Sequence, residues 1–337
     1  MDKVSELSRD DRRDLFVQTA RDLGFDPAVV EKDFWVCWVL KRLFQSPELS
    51  KQLVFKGGTS LSKVHHLIER FSEDIDLVLD WQLLGYGKGG DDPWATVRSN
   101  TQLDKSNREF NRKAADYIRE TLCPQIERLT QTTAGIRCVI PDDEPQVIEI
   151  HYEASLQLSA LRPNVKLEIG PLASWVPSIR STVRPYAADA FPKLFDDPEC
   201  PVVAITAERT FWEKATILHQ QAHRTGRMPE GYSRHYYDLY CLGESRVRAA
   251  ALADLKLLGD VRLFKQRFYR SKWASYETAM PGTFKLMPTK MGEANLQDDY
   301  AAMRPMFFSD PPKWPDILDG LKALEDEINA MGEGRTE

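Results

Sequence analysis

Several features are missing from this sequence, and each absence removes a class of protein. No stretch approaches the ~18 consecutive apolar residues that a membrane-spanning helix needs, and Met1 to Arg13 carries charges of both signs where a secretory signal would be apolar. Cysteine is sparse: Cys37, Cys123, Cys138, Cys200 and Cys241 are scattered, odd in number and never in a CxxC pair. That usage fits reduced thiols and argues against both a disulfide framework and a zinc knuckle. A cytoplasmic protein without membrane contact is expected. There is also no surplus of positive charge. With 45 Lys and Arg against 51 Asp and Glu the formal net charge is -6, so any RNA would have to be held by local basic patches. Internal repeats and low-complexity tracts are absent too.

What is there reads as an ordinary globular chain, 42% hydrophobic and 28% charged over 337 residues, a length that favours two domains. Asp10 to Phe44 has a helical pattern, with Phe34, Trp35, Trp38, Val39 and Leu43 on an apolar stripe after Pro27. Those aromatics, like Phe211-Trp212 further on, read as core rather than as base-stacking platforms. Leu53-Val54-Phe55 is a short apolar run that stops at Gly57-Gly58, and Ser60 to Arg70 is helix-like, which predicts strand, tight turn, helix. In Asp74-Ile75-Asp76-Leu77-Val78-Leu79 the alternation puts Asp74 and Asp76 on one face and Ile75, Leu77 and Leu79 on the other. Residues 82–105 read as a long surface loop or lid. Asn107 to Arg128 reads as a polar helix ending near Cys123-Pro124, followed by strands at Ile136–Ile140, Gln146–Tyr152 and Val165–Ile169. From Thr206 onward the texture is helical, broken by proline and glycine. The expected organisation is therefore a mixed α/β first domain, 1–200, and a mainly helical second domain, 201–337.

Phosphoryl and nucleotidyl transfer need a divalent metal between carboxylates and phosphate oxygens, and a cradle for the phosphates. Magnesium prefers hard oxygen ligands, so paired aspartates suit it. The turn Gly57-Gly58-Thr59-Ser60 opens a helix whose first amides can bind phosphate, and Asp74-x-Asp76 follows soon after. Glu168, on the polar face of Val165–Ile169 together with Lys166, is a candidate third metal ligand. Taken singly, a GG turn is commonly just a turn and a DxD strand commonly a solvated face.

The combination is more specific. Lys56-Gly57-Gly58-Thr59-Ser60-Leu61-Ser62-Lys63 followed by Arg70-Phe71-Ser72-Glu73-Asp74-Ile75-Asp76-Leu77 resembles the first motif of the AbiEii/AbiGii nucleotidyltransferase toxins, a branch of the DNA polymerase β-like superfamily that includes the MenT toxins. Glu31-Lys32-Asp33-Phe34-Trp35-Val36 resembles that family's N-terminal helix signature and Val165–Ile169 its strand with the third acidic residue. Thr206-Ala207-Glu208-Arg209-Thr210-Phe211-Trp212-Glu213-Lys214 resembles its third motif, and Arg234-His235-Tyr236-Tyr237-Asp238-Leu239 its fourth. The resemblance implies that Asp74 and Asp76 hold metal, that Gly58, Thr59 and Ser60 contact phosphate, that Lys63 reaches the triphosphate, and that Lys214 and Asp238 complete the active site. A lysine beside the phosphates would offset charge developing in the transition state, and Asp238 would orient it or the acceptor hydroxyl. The stretch between Gly58 and Asp74 is long, which leaves open whether Thr59 or Ser60 faces the phosphate.

Other constellations are weaker. His219 and His223 have metal-ligand spacing, but Gln220 stands where a zincin has glutamate. Gly85-x-Gly87-x-x-Gly90 matches a dinucleotide fingerprint by letter, yet Asp91-Asp92-Pro93 follows where a helix should begin. Ser72 beside the aspartates is a possible phosphorylation point. Arg262, Lys265, Arg267, Arg270 and Lys272 lie within eleven residues; the run reads first as solvated helical charge, and it is also where RNA contact would be sought.

The expected fold is thus α/β (α+β): a polymerase β-like nucleotidyltransferase core with mixed sheet, N-terminal helices and a mainly helical C-terminal domain, with the active site in the cleft between the two. The expected activity is Mg2+-dependent (or Mn2+-dependent) transfer of an NMP from an NTP to a hydroxyl. By resemblance the acceptor is the 3′ end of tRNA, and the setting a toxin–antitoxin or phage-defence pair with a cognate antitoxin. A protein or small-molecule acceptor, or nucleotide or RNA binding without turnover, are the alternatives.

Overall fold

The computed structural model describes residues 1–87, 99–156, 162–171 and 175–333. Residues 88–98 of the expected 82–105 loop, with Gly90 and Asp91-Asp92-Pro93, lie outside the described residues; 82–84 belong to a short 3-10 turn and 100–105 to a helix. The chain divides into two compact units: Met1–Val64 with Phe71–Ile205, and His65–Arg70 with Thr206–Glu337. The second unit thus takes in a short segment from the gap between the glycine turn and the aspartates, a pairing of distant segments that no local pattern announces.

The first unit is built on a seven-stranded mixed sheet. Its strands are β1 (Leu53–Lys56), β2 (Ile75–Leu79), β3 (Arg137–Val139), β4 (Val147–His151), β5 (Asn164–Gly170), β6 (Ser178–Val183) and β7 (Cys200–Ile205), in the spatial order β3-β4-β5-β2-β1-β7-β6. β1 runs antiparallel to β2 and parallel to β7, while β2 runs parallel to β5. β1 and β2 therefore lie at the centre, flanked by strands that arrive much later in the chain. Their apolar side chains are sealed: Phe55, Ile75, Leu77 and Leu79 are fully buried, and Val54, Val78 and Ile205 form a cluster on which Trp175 and Val203 pack.

The helix Pro27–Gln45 packs against this sheet, capped by Asp26, whose side chain accepts from the Ala28 amide, with Pro27 supplying the preset φ of a first helical position. It is buried almost all round, as a central helix must be when apolar residues cover more than one stripe. Phe34, Trp35 and Trp38 are at most 2% exposed, and Trp35 stacks on Tyr152 at 4.9 Å, so the aromatic cluster is core. Three consecutive charged residues on this helix are buried as well, and each is answered. The Glu31 carboxylate accepts from the Ser155 amide, the Ser155 hydroxyl and the Leu156 amide. Lys32 donates to the Arg162 carbonyl and pairs with Glu73 at 2.9 Å. Asp33 accepts from the Tyr186 amide and pairs with Lys63 at 2.7 Å.

Two boundaries differ from the sequence reading. The helix after the glycine turn spans Gly57–Lys63 rather than running from Ser60 to Arg70, because residues 65–70 join the second unit. The polar helix begins at Asn100 and does not stop at Pro124: it passes through a π-helical turn, Ile118–Leu122, into Cys123–Thr130. The Cys123 amide bonds back to Ile118, and this wider register accommodates a proline that has no N–H to give.

The second unit is helical. Its helices are Ala207–Ala222, Ser233–Gly243, Val247–Ala253, Leu255–Phe268, Lys290–Ala302 and Trp314–Glu333, and the only pairing of extended backbone among its described residues is the bridge between Arg70 and Phe307. Phe211 and Trp212 are fully buried, and Trp212 Nε1 donates to the Ala251 carbonyl. His219 is also buried. It accepts from the Lys285 amide at Nδ1, which fixes the proton on Nε2, where it is given to the Ser275 carbonyl. Both ring nitrogens are spent on backbone, and burial pushes the ring pKa down to about 4. The pair with His223 is structural rather than a metal site.

Glu31→Ala strips the acceptor from two amides and a hydroxyl inside the core. An unsatisfied buried donor costs about 1–3 kcal/mol, so the variant should lose roughly 3 kcal/mol in urea unfolding. A midpoint unchanged at constant m-value would show that water reaches these amides.

Candidate active site

The first unit brings the glycine turn and the paired aspartates together through strand pairing. β1 and β2 are in register with Lys56 opposite Asp76, so the turn that follows β1 begins beside the Asp76 side chain. Gly57 has φ +80°, which disfavours any residue with a Cβ, and a Cβ built there would overlap the Asp76 carboxylate. Two independent reasons therefore require glycine: the backbone conformation, and the closeness of that backbone to a carboxylate.

On the other side of β2, the parallel register sets Asp76 opposite Glu168 on β5. Directly paired residues of neighbouring strands share a face, so Asp76 and Glu168 lie side by side, with Asp74 just ahead of β2 on the same alternation. Burial is the largest influence on Asp74 and raises its carboxyl pKa; Glu168, Glu73 and Asp76 raise it further, Lys166 pulls it back, and the result is about 6. Glu168 is engaged by Lys166 at 3.2 Å, and the same ammonium holds Glu144 at 2.9 Å.

The two hydroxyls of the turn differ in their commitments. Thr59 Oγ1 donates to the carbonyls of Ser72 and Asp74, tying the helix start to the backbone that carries the aspartates. Ser60 Oγ is buried and has no hydrogen-bond partner. Of the two, Thr59 is therefore spent on structure. Ser72 contributes its carbonyl to this tie.

Lys63 was expected at the triphosphate. It lies instead in the buried pair with Asp33, with its ammonium 3.8 Å from the centre of the Tyr186 ring. Burial opposes its charge, but Asp33 more than compensates and holds its pKa above the ordinary lysine value. This placement gives Lys63 a structural part and lends no support to a phosphate role. Lys32 is a residue that pattern reading passed over. Its pair with Glu73 anchors the chain immediately before Asp74, yet on a helix of buried aromatics nothing local distinguishes it from a surface lysine.

In the second unit, Lys214 and Asp238 meet. Asp238 is fully buried. Its Oδ1 and Oδ2 accept from Arg70 Nε at 2.7 Å and Nη2 at 2.8 Å, and Oδ2 accepts from Lys214 Nζ at 2.7 Å. Burial alone would raise the Asp238 carboxyl; the Arg70 guanidinium and the Lys214 ammonium overcome it and hold it well below the usual carboxylate range. One carboxylate is thus shared by two buried cations. Lys214 is the member that yields. Burial lowers its pKa, Asp238 raises it, and the neighbouring Arg70 and Arg234 lower it again, for a net fall. Its ammonium also donates to His235 Nδ1 at 3.1 Å, and burial with the adjacent Lys214 keeps that ring neutral. Arg70 and His235 were not singled out from sequence; the bidentate partner of Asp238 lies 168 positions away.

A divalent ion suits the first constellation. Its donors are hard carboxylate oxygens on one face, and Glu168, Glu73 and Asp76 add to burial in raising the Asp74 pKa, an effect that a bound cation would oppose. Among the described residues, no group of three or more Asp, Glu, His or Cys side chains is arranged to hold a metal ion by itself. Asp74, Asp76 and Glu168 are therefore not a ready-made cage. Two aspartates fit a metal that completes its shell with phosphate oxygens and water.

The family model described as nucleotidyl transferase AbiEii toxin, type IV TA system, matches residues 38–323. No curated protein matches the chain. Among solved structures, MenT4, a nucleotidyltransferase toxin from Mycobacterium tuberculosis H37Rv, is similar with a TM-score of 0.44 and 17% sequence identity, covering 95% of this chain and 99% of its own. No helix among the described residues is long and apolar enough to cross a membrane.

Two stability measurements test these electrostatics. The folded-state pKa of Asp74 is raised, so its contribution is fully present below the unfolded value of 3.8 and is lost as pH rises through about 6. Metal-free Asp74→Asn should therefore gain on wild type between pH 4 and pH 7.5, by up to about 3 kcal/mol, and magnesium should close the gap. A difference that does not change with pH would contradict the assignment. Asp238→Asn leaves two buried cations without their anion and should cost about 3–5 kcal/mol, whereas Lys214→Met keeps the Arg70 pair and should cost much less. Equal losses would mean that the Lys214 pair contributes as much as the Arg70 pair.

Proposed function

The chain belongs to the AbiEii nucleotidyl transferase toxin family of type IV toxin–antitoxin systems, and we propose that it transfers a nucleoside monophosphate from an NTP to the 3′ hydroxyl of tRNA, using magnesium. Nucleotidyl transfer is the family's activity, and an NTP substrate and an antitoxin partner come with membership. The acceptor, the choice of metal and action in the cytoplasm, where NTP and tRNA occur together, are the proposal.

The observation that carries this reading is the contact between the Gly57 backbone and the Asp76 carboxylate. It sets the glycine turn directly against one of the two aspartates with no side chain between them, an arrangement that a routine turn does not need. The amides of Gly58, Thr59 and Ser60 open a helix and receive triphosphate oxygens. Asp74 and Asp76 hold the metal, and Glu168 beside them adds to the negative field that retains it. When bound, the ion neutralises charge shared between the carboxylates and the phosphates. The acceptor oxygen forms a bond to the α-phosphorus as the bond to pyrophosphate breaks, and the hydroxyl proton is released.

Lys214 and Asp238 are assigned to the same reaction by the order of the family's motifs. With two of its N–H groups given to Asp238 and His235, Lys214 retains a third for a phosphate oxygen, held in direction by its buried partners. Because its pKa is lowered, activity should fall on the alkaline side at lower pH than for an ordinary lysine.

Label transfer from each of the four α-labelled NTPs into total cellular RNA, with magnesium, tests the proposal. Wild type should label tRNA, Asp74→Ala should reduce transfer by at least about 1000-fold, equivalent to ~4 kcal/mol of lost transition-state stabilisation, and labelled tRNA should resist aminoacylation. Pyrophosphate release without labelled RNA would move the acceptor to a protein or small molecule. Label confined to internal positions of tRNA would overturn the 3′-end assignment.

A further inference from the structure

The basic run near residue 265 has an interpretation that composition alone does not supply. In the helix Leu255–Phe268, Leu257, Leu258, Val261, Phe264 and Phe268 are buried and fix which side faces the core. Lys265 and Arg267 in its last turn also offset the helix dipole. That accounts for two of the cations but not for Arg270 and Lys272, which lie beyond its end. From Val261 to Tyr276 the chain holds five basic residues and no acidic one, in a protein whose net charge is -6.

The structure adds aromatic surface to this charge. Tyr269 is 45% exposed and Trp273 38% exposed. Each has a cation over its face: Lys265 Nζ lies 4.7 Å from the Tyr269 ring centre, and the Arg224 guanidinium 4.8 Å from that of Trp273. Arg224 follows the Ala207–Ala222 helix, so a second element contributes to the same surface. Exposed rings interleaved with lysine and arginine form the combination that holds unpaired nucleotides, with bases stacking on the rings and phosphates answering the cations.

We propose that Arg224, Lys265, Tyr269, Arg270, Lys272 and Trp273 form a docking surface for an unpaired stretch of the RNA acceptor. The inference rests on the acceptor being RNA. The surface holds the RNA and takes no part in the chemistry.

The test measures full-length protein binding to fluorescein-labelled tRNA, oligouridine and heparin across a salt series, together with NTP binding. Arg270→Glu combined with Lys272→Glu should weaken tRNA and oligouridine binding by at least about tenfold and lower the salt slope by about 1.4, the value for two lost phosphate contacts on single strands. Trp273→Ala should weaken both RNAs by about fivefold or more and leave heparin unchanged, while Trp273→Tyr should restore RNA binding. NTP affinity and the melting temperature should be unchanged throughout. Unaltered RNA affinity in the double variant overturns the proposal. So does a Trp273→Ala variant that binds RNA normally, which would mark a site for polyanions in general. Wild type that binds RNA through these residues yet transfers nothing to it would sink the acceptor assignment and spare the surface. Transfer to tRNA with an unchanged KM in the double variant would do the reverse.

Discussion

In the sheet-bearing unit, the remaining arrangement depends on the backbone of Gly57 lying against the Asp76 carboxylate. This closeness requires a residue with no Cβ, at a positive φ, at the end of a strand whose neighbour carries the acid. It also requires one register, Lys56 opposite Asp76; a slip of a single residue would turn the aspartates into the core and Leu77 out to the other face. The flanking sheet sustains that register by burying Phe55, Ile75, Leu77 and Leu79, and β5 sets Glu168 beside Asp76. Thr59 completes the arrangement by tying its hydroxyl to the carbonyls of Ser72 and Asp74.

The two units treat charge in opposite ways. Around Asp74, burial and the neighbouring Glu168, Glu73 and Asp76 carboxylates together raise its pKa, with Lys166 opposing them. Around Asp238 one carboxylate is shared by Arg70 and Lys214, and the two cations hold its pKa below the usual carboxylate range. Elsewhere, burial is answered one for one. Glu31, Lys32 and Asp33 succeed one another on a helix that shows no face to water, and each finds complementary partners. Their carboxylates and ammonium connect the helix to segments far along the chain, including Glu73 just before Asp74.

How much of this was legible depends on whether the governing interaction was local. The Leu53–Phe55 run, the glycine turn and the alternation in Asp74–Leu79 could be read because strand periodicity and the φ demands of a turn are properties of a few adjacent residues. β6 and β7 could not. Ser178–Val183 lies mostly exposed, with no apolar alternation to betray it, and Cys200–Ile205 contains Pro201, which argues against a strand until its antiparallel pairing with Thr182 is known. Helix ends were missed for a related reason: Lys63 ends one helix because the following residues are taken up by the other unit, and Pro124 is carried by a π-turn rather than ending another.

The sequence by itself determined the chemistry on offer: carboxylates two apart on a strand, a glycine turn before them, a lysine and an aspartate later in the family's order, and a cluster of cations in an acidic protein. These follow from residue type and short spacing. Only the tertiary structure decided how each was used. It paired Lys63 with Asp33 and Lys214 with a carboxylate that also serves Arg70, gave Asp238 a partner 168 residues away, set Glu168 beside Asp76 across a parallel pair, and laid cations over exposed rings. The physical reason is that a charge takes its role from its burial and its nearest opposite charge, and both are set by chain segments that meet only on folding.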